Sequence, residues 1–435
     1  MCRIASALIL VVALPLPGVF GQSTGESVDI DKLIEQLSDQ DFHKRQAAAK
    51  ALQNAGIRAL DKLKKAENHP DPEVRRWIRQ NLPELEKRAI LQPTRVTLQC
   101  KNKPFAEVIK SIEKQTGFSI GAYPDEEARR LVYDFDLKDV PFWQAIDAVC
   151  SKTGLMLQNG YGYGDGRIRL SARRGVAPFV HYHGPFRISA ETFRLSKTLR
   201  LNLLPVDPKG LQSNLSQQLS LDIIVSSEPR LPLLGSFSVR LEKAVDERDN
   251  SLLPPRQQST PLHDELIAYN MGGSDNYSLP CNVQLVPPPD NATKLKYIKG
   301  IVPVTLLTKN TPIVLAEPLP KADGKRATVG DFSFDIKNIS KGANGLIQVD
   351  LAIQRNSNSN RDLLFHLYRR IELHDKDGKK YGIRGSSITH NGNLLRCRLD
   401  FGPRGNAGKP RRLVFQDWTT MPYEIPFVFR DLPLP

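Results

Sequence analysis

The stretch PFAEVIKSIEKQTGFSI at residues 104–120 returns as PFWQAIDAVCSKTGLML at 141–157. Pro104/Pro141, Phe105/Phe142, Ile109/Ile146, Thr116/Thr153 and Gly117/Gly154 align at a constant offset of 37. Each proline suits the first turn of a helix, where its missing N–H is not needed. Phe105, Val108, Ile109 and Ile112 then share one helical face, as do Phe142, Ala145, Ile146 and Val149. Each Thr-Gly ends its helix at a residue free to take a left-handed backbone. Apolar segments at 96–100, 118–122, 131–137, 155–158 and 167–170 read as strands, and glycine-rich 160–166 turns the last hairpin. Residues 94–171 therefore read as a small βαββαββ module.

Upstream, helical spacing predicts four helices in two hairpins, at 30–38, 41–54, 57–67 and 71–87. Asp41 and Asp71 suit N-caps, and Pro72 the first helical position. The Asp41/Arg45 and Asp71/Arg75 spacing resembles a pair of HEAT-like repeats over 28–90; a plain helical hairpin bundle is the other reading. Such repeats are stable in stacks of three or more, so this piece is expected to dock on a neighbour.

Downstream of Arg173-Arg174-Gly175, short alternating strands replace helical periodicity. Pro287-Pro288-Pro289 reads as a stiff linker between two halves. The halves parallel each other: Leu219–Val225 resembles Ile347–Ile353, and each half later runs a strand into an acidic turn, at 246–249 and at 375–377. The expected fold class is multidomain α+β, with a helical-repeat segment, the βαββαββ module, and two immunoglobulin-like β-sandwiches at 178–286 and 295–435.

On the helix PFAEVIKSIEKQTG and the junction YDFDLKDVPF, residues 94–171 resemble the short N-terminal domain of secretins and TonB-dependent receptors. That resemblance implies a periplasmic interaction module, not an enzyme. No receptor barrel or secretin pore follows it, so transport is not implied. The order of segments and the ending PFVFRDLPLP at 426–435 look like uncharacterised bacterial secreted proteins.

The chain has 435 residues, 40% of them hydrophobic and 25% charged, a globular balance with room for several cores. Arg3, the apolar run 4–16 and small residues around Val19-Phe20-Gly21 have the layout of a signal peptide at 1–21. The mature chain is thus expected in the periplasm or cell envelope, with no transmembrane segment. Five cysteines are too few for a disulfide scaffold. Cys100 and Cys150 both face the core of one module and could form a disulfide; two buried thiols are the alternative. Cys281 and Cys397 fall in different halves.

The net charge is +14, and residues 295–435 carry 23 basic against 13 acidic side chains. The clusters are Arg369/Arg370, Lys376/Lys379/Lys380/Arg384, Arg396/Arg398 and Arg404/Lys409/Arg411/Arg412. They form a candidate anion-binding patch for envelope polymers or lipid head groups, or else a solvated surface without a ligand. Nucleic acid is disfavoured outside the cytoplasm, and no RNP-type aromatic motif is present. No catalytic residue, metal site or cofactor is assigned, since HExxH, GxSxG and P-loop motifs are missing. His181/His183 read as surface histidines, the 375–378 turn as a hairpin, and Asp125-Glu126-Glu127 as a solvated loop. The expected function is a non-enzymatic interaction or scaffold protein that binds envelope proteins through the helical and βαβ modules. The alternative is a binder of anionic polymer or lipid through the basic C-terminal region.

Overall fold

The computed structural model describes residues 29–123, 130–158, 166–172, 178–236, 238–255, 268–269, 276–288, 292–319, 322–342, 345–356 and 367–435, except 201–213. The signal-peptide reading at 1–21, the 160–165 turn and the 125–127 carboxylates lie outside them. The chain divides into two compact units, 1–91 and 92–435.

In the first unit, α1 (Ile30–Glu35), α2 (Phe42–Ala55), α3 (Leu60–Lys65) and α4 (Pro72–Ile90) surround Leu52, Ala59, Leu63, Val74 and Ile78. Asp41 caps α2 by accepting from the His43 N–H at 2.8 Å, and Asp71 caps α4 from Glu73 at 2.7 Å. Arg45 and Arg75 each turn back to donate to two carbonyls ahead of their helix, those of Asp39/Gln40 and His69/Pro70. The shared Asp and Arg thus do the same two jobs in both hairpins, closing a helix start from inside and outside.

The second unit opens with β1 (Arg95–Pro104), α5 (Phe105–Thr116), β2 (Ile120–Tyr123), β3 (Val132–Pro141), α6 (Phe142–Thr153), β4 (Met156–Gln158) and β5 (Ile168–Ser171). Strands β1 and β3 pair antiparallel, while β5 lies between parallel β2 and antiparallel β4. Gly117 and Gly154 end the two helices at φ 73° and 70°.

The remaining strands are β6 (Val180–His183), β7 (Phe186–Arg200), β8 (Asn214–Ser227), β9 (Leu233–Ser236), β10 (Arg240–Asp246), β11 (Ala268–Tyr269), β12 (Ser278–Leu285), β13 (Lys294–Ala316), β14 (Arg326–Val329), β15 (Phe332–Lys341), β16 (Ile347–Arg355), β17 (Ile371–Asp375), β18 (Tyr381–Asn391), β19 (Leu394–Pro403) and β20 (Pro410–Pro433). One sheet runs β12-β8-β7-β6 and another β14-β15-β16-β19-β18. A third joins them: β11-β9-β13-β20-β17, with β10 also on β13.

The expected fold class is corrected by this arrangement. Among the described residues 53% are strand, so the fold is mostly β and is not a helical-repeat segment followed by immunoglobulin domains. The physical reason is the pair β13 and β20. These strands run 23 and 24 residues and pair from Lys294↔Pro433 to Ala316↔Leu413. The first half of each strand completes its own half of the chain, through β10·β13 and β17·β20. The second half of each crosses to the other, so one continuous sheet replaces two separate sandwiches.

Both halves repeat one pattern. The pairings β6-β7, β7-β8, β8-β12 and β10-β13 recur as β14-β15, β15-β16, β16-β19 and β17-β20. The β6–β7 and β14–β15 hairpins turn on Gly184 and Gly330, both at φ 53°, a left-handed value that glycine adopts without strain. Ile223↔Cys281 recurs as Leu351↔Cys397, and Asp222↔Asn282 as Asp350↔Arg398.

Candidate functional site

In the first half, the register aligns Tyr182, Arg187, Ser226 and Ser278 in one row across the sheet. The βαββαββ module is seated on this row. Tyr182 Oη donates to Asp147 Oδ2 on α6, and Arg187 Nε donates to the same oxygen at 2.8 Å. Trp143 Nε1 donates to the Pro185 carbonyl at 3.1 Å, and its ring lies 6.1 Å from Tyr277. Glu228 is fully buried and accepts from the Thr94 N–H (2.7 Å), Thr94 Oγ1 (2.6 Å) and Arg230 Nε (2.7 Å). Each buried charge here meets a charged or hydrogen-bonding partner, as burial requires.

In the second half the same face is open among the described residues. The equivalent row is Thr328, Ser333, Gln354 and Leu394. Beside it run Arg326, Asp335, Ala352, Arg396 and Thr389, then Asp350, Arg398 and Ser387. These side chains line a shallow hollow of about 820 Å³. In the first half, the places of Arg326, Asp335, Ala352 and Arg396 are held by Val180, Ser189, Ile224 and Pro280.

The hollow holds four cations and two carboxylates. Asp350 takes Arg398 in a two-pronged pair, at 2.7 and 3.2 Å. Asp335 takes Lys337, and Arg326 at 3.5 Å. The Lys337 hydrogen bond holds the Asp335 carboxyl below its usual range against the opposing effect of burial, and Arg326 adds to this. Asp400, one row further on and outside the hollow, accepts from Gln348 at 2.9 Å. Arg396 is exposed and has no ion pair among the described residues; Ala352 beside it leaves its guanidinium room. Three cations satisfy the two carboxylates, and Arg396 is surplus.

The other basic residues of the sequence reading go elsewhere. Arg370 lies between the Phe415 and Trp418 rings, 4.4 and 4.9 Å from their centroids, and donates to the Gln416 carbonyl at 2.8 Å. Arg369 donates to Tyr368 Oη, Arg384 to the Pro403 carbonyl and Lys379 to the Asn406 carbonyl. Lys380 pairs with Glu372 at 2.9 Å and Arg411 with Glu317 at 2.6 Å. Arg404 packs against Gly382 and Arg412 against Gly378, while Lys376 and Lys409 are exposed in turns. Sequence clustering thus mixes structural arginines with ligand-accessible ones, and the hollow also uses Arg326 and Lys337, outside every cluster. The cross-strand register that unites them is invisible in the sequence.

All four cysteines from Cys100 onward are free thiols, with Cys100 half-buried and the other three buried. Burial, aided by Asp147, pushes the Cys150 thiol up to about 12. His181 and His183 are half-buried, and burial lowers both. His183 Nε2 is bonded to Tyr423 Oη at 2.9 Å. No group of three or more His, Cys, Asp or Glu that could hold a metal occurs among the described residues. No described helix is long and apolar enough to cross a membrane.

No protein-family model matches this chain, and neither does any curated protein or solved structure. The comparison the molecule does offer is internal, between a covered face in one half and an open, cationic one in the other.

Proposed function

We propose that this chain is an exported, envelope-located, non-enzymatic binding protein that holds an acidic polysaccharide on the outer face of β14-β15-β16-β19-β18. One observation carries this reading. The fold already uses that face as a docking platform in its first half, where Arg187 and Tyr182 receive Asp147 of the module. In the second half the face is open, and its surplus charge is the Arg396 guanidinium. A guanidinium engages a carboxylate through two parallel hydrogen bonds. Ser333, Ser387, Thr328, Thr389 and Gln354 around it supply neutral partners for sugar hydroxyls. The module's own face is taken up by β6 and β7, which favours the open face of the second half for an outward binding role. The +10 balance of residues 295–435 would speed the approach of a polyanion.

The test is binding of polygalacturonate to the chain from Gln22, at low and high salt, for wild type and Arg396→Ala. Wild type should bind and weaken with salt, and Arg396→Ala should bind about tenfold more weakly, the loss of one charge-assisted contact. Equal affinity of the two proteins overturns the reading. So does binding to anionic lipid vesicles or an envelope protein but not to the polysaccharide.

A further inference from the structure

A second cationic hollow, of about 280 Å³, lies where β10 adds to the β13–β20 pair, lined by Lys243, Val245, Asp249, Lys296, Tyr297 and Arg430. The register aligns Val245, Tyr297 and Arg430 in one row across β10, β13 and β20. The Tyr297 ring carries the Arg430 guanidinium 4.9 Å and the Lys243 ammonium 5.7 Å from its centroid. Lys296 is held by both oxygens of Asp249, at 2.8 and 3.0 Å.

The repeat shows that the fold does not require these cations. Tyr297 corresponds to Arg412, because Val245↔Tyr297 recurs as His374↔Arg412. By the same register Lys243 corresponds to Glu372, and Arg430, next after Phe429, corresponds to Glu317, the residue just after Ala316 at the end of β13. The second half is therefore self-neutralising. Glu317 pairs with Arg411, and Glu372 accepts from His374, Lys380 and Gln416. In this hollow both carboxylates are replaced by cations. Among the described residues neither Lys243 nor Arg430 has a carboxylate partner, and the only acid in the hollow, Asp249, is committed to Lys296.

We infer that the Lys243–Tyr297–Arg430 hollow is a binding site for a tetrahedral oxyanion, the phosphate or sulfate group of a monoester or the free ion. Donors reach it from three strands and not from one plane. A tetrahedral oxyanion carries its acceptor oxygens out of any one plane and can accept from Arg430, Lys243 and Lys296 together. Asp249 keeps Lys296 in place while leaving the site net positive. The volume suits one such group with a small organic carrier.

The test is phosphorus NMR titration of the chain from Gln22 with inorganic phosphate and, separately, with glycerol phosphate. It is run in the Arg396→Ala background, so that the outcome does not depend on the sheet-face reading. Saturable line broadening is expected, weakened about tenfold in Arg430→Gln and in Lys243→Ala and largely retained in Arg430→Lys. Tighter binding of glycerol phosphate marks an esterified ligand, and equal binding marks the free ion; either supports the site. The inference fails if neither probe binds, or if Arg430→Gln binds as tightly as its parent while keeping the same Tm and circular dichroism spectrum.

Discussion

Asp246 and Asp375 close the same turn in the two halves of one chain. Asp246 accepts from the N–H of Arg248 (2.9 Å) and Asn250 (2.8 Å), and Asp375 from the N–H of Asp377 (2.9 Å) and Lys379 (2.8 Å). The third contact differs: Asn250 Nδ2 reaches Asp246, while the Gly408 N–H reaches Asp375, each at 2.8 Å. Both side chains are fully buried. Each therefore fixes a strand end by satisfying donors that a neutral apolar residue would leave unpaired.

This arrangement sets a pH dependence. The Gly408 N–H, with those of Lys379 and Asp377, holds the Asp375 carboxyl below its ordinary value against burial. For Asp246 burial acts upward, and the Asn250 and Arg248 hydrogen bonds outweigh it, so this carboxyl is lowered too. A depressed folded value means stability that is present above the unfolded carboxyl value, about 3.9, and is lost as pH falls through the folded value. Thermal unfolding between neutral pH and pH 3 should show wild type losing Tm steeply at the acid end. Asp375→Asn should start lower, by about 3–6 °C, and lose less on acidification. Parallel curves for the two proteins would refute the assignment.

The Asp147–Arg187 pair should govern attachment of the βαββαββ module. Arg187 is 5% exposed and Asp147 14%, with Tyr182 on the same carboxylate oxygen. Removing one partner strands the other charge, so Asp147→Ala should cost about 3 kcal/mol. Asp147→Leu combined with Arg187→Met should recover much of that loss, because no lone charge remains. Denaturant unfolding measures both. A double variant no better than Asp147→Ala would count against this account.

How far the sequence was legible follows from what each signal encodes. The 37-residue echo located α5 and α6, because proline starts, apolar stripes and glycine stops are local. The likeness of Leu219–Val225 to Ile347–Ile353 reported a true equivalence, that of Asp222 with Asp350 at matched register. The ribbon was not legible. Pro303, Pro312, Pro422 and Pro426 punctuate β13 and β20 and make each read as short pieces, although their partners leave the sheet intact through every one. Register decides which arginines share a face, and register is a property of strand pairing. Arg396 and Arg326 are therefore distant in sequence yet lie in one row.

Asp350 offers a test with the opposite sign to that of Arg396. It occupies Arg398 with two hydrogen bonds, so its loss frees a second guanidinium in the hollow. Asp350→Ala should bind polygalacturonate several-fold more tightly than wild type, with a steeper salt dependence. Tm should stay within about 2 °C, since partly exposed pairs contribute little. Weaker binding by a folded Asp350→Ala would mean that the carboxylate itself contacts the ligand.

The thiols provide a check on the repeat. Cys281 and Cys397 face Ile223 and Leu351 at matched positions, and burial pushes them up to about 11 and about 12. Cys150 is likewise near 12, chiefly from burial. At mildly alkaline pH these three hold almost no thiolate, and the thiolate is the reactive form. Alkylation of the native chain from Gln22 should therefore label half-buried Cys100 first, with the other three reacting only on unfolding. Mass spectrometry of quenched time points reads the order. Early labelling of Cys281 or Cys397 would show that the strand carrying it, β12 or β19, opens in the native state, and would overturn the equivalent burial of the two thiols.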